Sequence, residues 1–356
     1  MASFDISKNW VILADLPAWD AAIELARYVS LLRENAGARG QLPQINEAET
    51  ALLGSAPVIL LNAPKNTPDK NGFAWQFSAD RVEISGDSIR GLWNGIFDFL
   101  AALGVKWPQP GQEELPQAAP KDSSAPDVIA YTLNKDAEHC PSNTSPRERR
   151  RIFISEKTGE KERENLVKWA VRNKYDALVF SLKEKTFWAT AGEKDSLYNT
   201  EKFALIIEAG GRDLSLLLSR RHFFFNRDLF RMESGERTSK HHFCPTNPKT
   251  IARITKQAKR LFRQTLAGVT FPRVFHLLPD LGHENSWCAC PACRAFNPAE
   301  QNMIAVKSAA PELAGLDPLA LLSFFDFGAA KDESTNSEIV PEKNMFILSP
   351  CKMIQF

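Results

Sequence analysis

Three cysteines fall within six residues, at Cys288, Cys290 and Cys293, in a Cys-x-Cys-x-x-Cys run. Thiolate sulfur suits zinc, and a closed zinc site takes four ligands, so the run asks for one more. Cys244 is the natural fourth ligand, with His283, His241 or His242 behind it. The spacing is neither that of a zinc finger nor that of a thioredoxin motif. A disulfide-stapled loop and free buried thiols remain the alternatives. A structural zinc here would pin a loop rather than carry out chemistry. The same loop holds Asp280 and Glu284, and carboxyl groups can deliver or accept protons. The plainer alternative has Asp280 capping a turn and Glu284 solvated. A mechanism with two carboxyl groups needs a partner. Asp326 is best placed by chain position, and Glu208 lies in an apolar run further back. Without a second carboxyl the protein would bind a ligand and not cleave it.

Other polar groups fall near these. Gly210 and Gly211 precede Arg212, and glycines let a backbone approach a ligand closely while a guanidinium grips a carboxylate or hydroxyls in two-point fashion. A plain turn with a surface arginine fits the same residues. His241, His242 and Trp287 are further candidates for ligand contact, with a solvated loop as the alternative for the histidine pair. Phe223, Phe224 and Phe225 read as core packing or as a platform for a sugar ring. Arg147, Arg149, Arg150 and Arg151 read as a solvated face, because the chain is almost neutral.

The elements that must position these groups follow from pattern. The 356 residues are enough for about two domains, and 44% apolar content allows a large core. Lysine plus arginine number 44 against 43 acids, a net charge of +1, so there is no electrostatic case for nucleic acid or an anionic membrane as main partner. The N-terminus lacks the basic and apolar regions of a signal peptide, and no apolar run reaches the length of a membrane span. A cytoplasmic protein with reduced cysteines is expected.

Apolar runs at 10–14, 57–61, 73–77 and 81–85 predict strands, the last two joined by a tight turn. Helical periodicity predicts helices from Trp19 to Asn35 and from about Ile89 to Leu103, the latter capped by Asp87 or Ser88. Residues 108–146 are rich in proline and read as a linker. Beyond it, runs at 151–155, 176–181, 203–209, 273–279, 319–325 and 344–349 predict strands, with helices at 161–173, 248–266 and 300–313 among them. Such alternation argues for a parallel sheet or barrel. A closed (β/α)8 barrel has eight strands and six are visible.

Two stretches carry a family resemblance. The first is RVEISGDSIRGLWNGIFDFLAALGVKWPQPG, from Arg81 to Gly111. It resembles the end of the small α/β domain that precedes the barrel in alpha-glucuronidases and beta-N-acetylhexosaminidases. Gly86 and Gly91 would permit its tight strand-to-helix turn. The second pairs FRMESGERTSKHHFCPTNP, from Phe230, with PDLGHENSWCACPAC, from Pro279. Together they resemble a bacterial family of unknown function with a glycosidase-type barrel. Arg212 departs from that pattern, which has histidine there, and the chain ends early relative to the usual barrel.

The resemblance implies a small N-terminal α/β domain at 1–107, a linker at 108–146 and a (β/α)8-type barrel at 147–356, incomplete on the strand count. It also implies a carbohydrate ligand and a general acid after the fourth strand, which suits Glu284 or Asp280, with Asp326 as the positional partner. A glycoside hydrolase-like protein acting on an oligosaccharide or on a uronic-acid or amino-sugar glycoside is the leading expectation. An inactive carbohydrate-binding protein and a zinc-stabilised interaction module are the alternatives.

Overall fold

The computed structural model describes residues 3–38, 43–47, 56–63, 71–117, 130–132, 139–140, 149–155, 157–184, 187–188, 202–267, 273–279, 287–325, 340–348 and 353–355. The chain divides into two compact units. One comprises residues 1–148, 159–176 and 198–205, and the other 149–158, 177–197 and 206–356.

The first unit holds strands β1 (Ser3–Asp5), β2 (Val11–Ala14), β3 (Gln44–Asn46), β4 (Val58–Asn62), β5 (Phe73–Ser78), β6 (Arg81–Gly86), β7 (Ala130–Thr132) and β8 (His139–Cys140). Its helices are α1 (Trp19–Asn35), α2 (Ile89–Ala102) and α3 (Glu160–Arg172). Six strands form one sheet in the order β3-β2-β4-β6-β5-β8. Strands β2, β3, β4 and β6 run parallel, and β5 returns antiparallel through a two-residue turn. The proline-rich stretch is not connection alone, since β7 pairs with β1 and β8 with β5.

Helix α2 is buried along nearly its whole length, which explains its run of Leu92, Trp93, Ile96, Phe97, Phe99 and Leu100. The Ser88 hydroxyl caps it, accepting from the Gly91 amide at 3.1 Å. Gly86, before the helix, and Gly91, in its first turn, are there for space. A β-carbon on Gly91 would lie 2.1 Å from the Gly72 carbonyl oxygen, and one on Gly86 would lie 2.1 Å from the Leu92 nitrogen. Trp107 closes the unit, its indole donating to the Tyr28 hydroxyl at 2.7 Å and its carbonyl accepting from the Trp169 indole at 2.9 Å.

The second unit is built on a parallel sheet of seven strands: β9 (Arg151–Ile154), β10 (Ala177–Phe180), β11 (Ile206–Gly211), β14 (Val274–Leu277), β15 (Leu321–Phe325), β16 (Met345–Leu348) and β17 (Met353–Gln355). A short hairpin, β12 (Met232–Glu233) and β13 (Glu236–Arg237), is inserted after β11. Helix α4 (Pro248–Leu266) connects β11 to β14, and α5 (Pro298–Ala314) connects β14 to β15. Both begin with an asparagine cap and proline in the first turn, the arrangement that asks least of orphan backbone amides.

The sheet order is β16-β15-β14-β11-β10-β9-β17. The six visible strands are therefore one too few. β17 pairs with β9 on the side away from β10, the place of a last barrel strand beside the first. Among the described residues the sheet is open between β16 and β17. The third strand also starts later than its apolar run suggests, at Ile206 instead of Phe203, because Phe203 and Leu205 belong to the first unit. Phe153, Val179, Val274, Leu278, Phe325, Phe346 and Leu348 fill the interior. Among the described residues no helix is long and apolar enough to cross a membrane.

Candidate functional site

Charged residues inside fully buried parallel strands are expensive unless paired. The second unit pairs its own in one network. Glu208, in the middle of β11, is fully buried and accepts from Arg151 Nε at 2.6 Å and Arg149 Nη1 at 3.0 Å. It also meets His276 Nε2 of β14 at 2.8 Å, and His276 Nδ1 meets Ser323 Oγ of β15 at 2.7 Å. Four neighbouring or near-neighbouring strands are thus tied across the interior. Burial works against the Glu208 charge, but Arg151, the His276 hydrogen bond and Arg149 outweigh it and hold the carboxyl well below the usual carboxylate range. Burial, with Arg151 and Arg149, pulls His276 below its usual value against the pull of Glu208, so the ring stays neutral. A carboxylate clamped this way has no proton to give. Glu208 is an anchor of the barrel and not its acid.

The loops at the strand ends are tied to one another. Asp213 accepts from the Ser181 hydroxyl at 2.9 Å and the Leu182 amide at 2.8 Å. The Leu278 amide donates to the Gly211 carbonyl at 2.8 Å, joining the exits of β11 and β14. Gly210 makes this join possible, since a β-carbon there would lie 2.0 Å from the His276 carbonyl oxygen. The Asn302 side-chain oxygen accepts from the Phe325 amide at 2.8 Å, fixing the exit of β15 just before Asp326.

The four cysteines meet. Cys244, Cys288, Cys290 and Cys293 are buried, none is in a disulfide, and their sulfurs lie within 4.8 Å of one another. Cys244 Sγ is 3.7 Å from Cys290 Sγ and 3.6 Å from Cys293 Sγ. The cluster could hold a metal ion. Hydrogen bonds from Cys288 and Cys293 pull the Cys244 thiol down, and the same bond to Cys244 pushes Cys288 up to about 11.

The β12–β13 hairpin packs on this cluster. The Met232 amide lies 3.3 Å from Cys288 Sγ, and Arg237 Nη1 lies 3.7 Å from it. Thr246 Oγ1 is 3.1 Å from Cys293 Sγ. Gln301 of α5 staples the loop, accepting from the Cys288 amide at 3.1 Å and donating to the Cys288 and Cys293 carbonyls at 3.2 Å each.

Of the candidate ligand contacts, the structure joins His242 and Trp287. Their rings stack at 4.5 Å between centroids and 19° between planes. His242 is fully buried, and neither ring nitrogen finds a hydrogen-bond partner among the described residues. Burial first, then Arg220, His241 and Arg231, lower its pKa to about 3. His241, with φ at +61°, is half-buried, and its carbonyl accepts from Arg220. Arg212 is exposed at the end of β11. Phe223 packs on Phe230, while Phe224 and Phe225 stand exposed. Asp280, His283, Glu284 and Asp326 lie outside the described residues.

Sequence reasoning weighed Glu208 only as a second carboxyl and expected Arg149 and Arg151 on a solvated face, whereas both arginines are buried against Glu208. The network's signal was present in the sequence as single charged or imidazole residues, Arg151, Glu208 and His276, inside otherwise apolar strands.

No family model matches the sequence, and no curated protein matches it. Solved structures do. A GH20 beta-N-acetylhexosaminidase from Streptomyces coelicolor A3(2) superposes with a TM-score of 0.50 at 11% identity, covering 98% of this chain and 66% of its own. The Flavobacterium johnsoniae chitobiase gives 0.51 at 14% identity, covering 100% and 52%. The Streptomyces plicatus N-acetyl-beta-hexosaminidase, solved with Thio-NAglucal, gives 0.50 at 13% identity, covering 98% and 65%. The chain has a glycosidase-type barrel fold. It spans between half and two thirds of the length of these enzymes. At such identities the similarity concerns the fold.

Proposed function

We propose that this glycosidase-type barrel binds carbohydrate and hydrolyses a glycosidic bond, with Glu284 or Asp280 as general acid and Asp326 as the second carboxyl. The observation that carries this is the position of the Cys cluster on the loop leaving β14. The cluster begins one residue after Trp287, at the downstream end of the segment holding Asp280 and Glu284. Four buried sulfurs and Gln301 hold the downstream end of that segment, and a fixed anchor is what positioning a carboxyl for proton transfer requires. The paired Trp287 and His242 rings support a ligand contact beside it. A buried imidazole without partners costs roughly 1–3 kcal/mol, and a ligand hydroxyl would remove that cost. Arg212 and His241 are assigned to the same mouth. The sugar is an amino-sugar glycoside, by analogy with the structures of like fold, or a uronic-acid glycoside, by the resemblance carried by Arg81–Gly111.

The metal is proposed to be zinc. Four sulfurs at roughly 2.3 Å from one zinc lie about 3.8 Å apart along a tetrahedron's edges. The 3.6 and 3.7 Å separations around Cys244 match that edge. Zinc there would be structural, since all four positions are filled by protein.

The test is hydrolysis of a panel of aryl glycosides, including uronides and N-acetylhexosaminides, by the full chain and by Glu284→Gln. An amide of the same shape cannot deliver a proton, so the variant should lose a hundredfold or more in kcat. An unchanged kcat removes Glu284 and passes the role to Asp280. Binding of a neutral oligosaccharide with no turnover of any substrate favours the inactive, carbohydrate-binding alternative.

A further inference from the structure

Helix α4 carries a charge pattern that the barrel interior does not use. Its 19 residues include six lysines and arginines and no acid. Arg253, Lys256, Arg260 and Arg263 recur every three or four residues, so they share one face, and all four are exposed. At 1.5 Å rise per residue, their positions follow one another about every 5 Å along roughly 15 Å of helix. Lys259 is the exception that shows how such charges are normally settled, paired with Glu312 of α5 at 2.5 Å. The four others have no carboxylate partner among the described residues, and Arg253 instead meets His222 Nδ1 at 3.5 Å.

These side chains do not simply project into solvent. They form one wall of a groove of about 740 Å³, together with Lys259, Gln257 and Gln264. The opposite wall is Leu216 to Leu218 with Ser219 and His222. A row of like charges raises the free energy of the bare protein and lowers it when an anion of matching charge spacing lies along the row. The amides offer both donors and acceptors, which suits hydroxyl groups. Leu217 and Leu218 are buried, and half-buried Leu216 gives a small apolar surface for C–H faces.

We propose that this groove binds an acidic polysaccharide, a polyuronide with one carboxylate per sugar. The cation spacing is on the order of one sugar residue along an extended glycan. A nucleic acid strand fits less well, because among the described residues no phenylalanine, tyrosine or tryptophan lines the groove to stack a base. A flat anionic membrane would leave the concave floor unfilled. The preference for a glycan rests on the carbohydrate function proposed for the barrel, while the anion preference rests on the groove itself.

The experiment is titration of the full chain carrying Glu284→Gln, so that substrate is not consumed and failure of hydrolysis leaves the readout intact. Probes are a polygalacturonate oligomer, a neutral oligosaccharide of equal length, and an oligothymidylate of equal charge. The uronide should bind more tightly than either, and more weakly as salt rises. The variant Arg253→Gln, Lys256→Gln, Arg260→Gln, Arg263→Gln should weaken uronide binding at least tenfold with an unchanged circular-dichroism spectrum. Should the quadruple variant misfold, Arg253→Gln, Arg260→Gln is used, with at least a threefold loss expected. Equal binding of the neutral oligomer, tighter binding of the oligothymidylate, or indifference to the substitutions overturns the proposal.

Discussion

Replacing Glu208 by Gln tests the barrel anchor directly. The substitution keeps the shape of the side chain and removes its charge, leaving Arg151 buried beside a neutral amide. Arg151 and Glu208 are both fully buried, so solvent does not screen the loss. Removing one partner of a buried ion pair costs about 3–5 kcal/mol. For a unit of this size that lowers the melting temperature by about 6–20 °C. Urea and thermal unfolding followed by circular dichroism give both quantities.

The pH dependence adds a second readout. The folded carboxyl titrates below its ordinary value of 4.5, so the unfolded chain binds the proton first as pH falls. The stabilisation is fully present above pH 4.5 and is lost as pH drops through the depressed folded value. His276 acts in the same direction: its folded value lies below 6.5, so stability begins to fall as pH drops past 6.5. Glu208→Gln should therefore flatten the acid limb of the stability profile below pH 4.5. Combining Arg151→Met with Glu208→Leu should recover part of the loss, because two apolar side chains leave neither charge of the pair stranded. A loss under about 1 kcal/mol, or an acid limb as steep as in the parent, refutes the assignment of Glu208 as a clamped carboxylate.

Two further outcomes are expected. Protein purified without chelator should carry about one zinc per chain by elemental analysis, and Cys244→Ser should lower the content severalfold and loosen the loop after β14, read as faster hydrogen exchange around Trp287. Zinc content near zero leaves the four thiols as packing residues. His242→Phe removes two unpartnered nitrogens from a buried position and should raise stability by about 1 kcal/mol while weakening oligosaccharide binding. Undiminished binding removes His242 from the ligand site.

Sequence pattern alone determined the alternation of strands and helices, the hairpin of β5 and β6, and the glycine-dependent turn into α2. Each depends on residues close together in the chain, where periodicity reports which face is buried. The three thiols from Cys288 to Cys293 were legible for the same reason. Tertiary structure decided the rest. Cys244 was named as the fourth ligand by residue type alone, but it lies more than forty residues upstream, and its meeting with the cluster depends on the β12–β13 hairpin and the extended segment before α4 folding onto the loop after β14. The seventh strand escaped notice because three residues, Met353 to Gln355, are too few to show a period, and only pairing with β9 makes them a strand. Arg151, Glu208 and His276 each look misplaced in an apolar run. Their meaning is pairwise, since a buried charge is tolerated only through its partners, and which strands bring those partners together is a property of the sheet order.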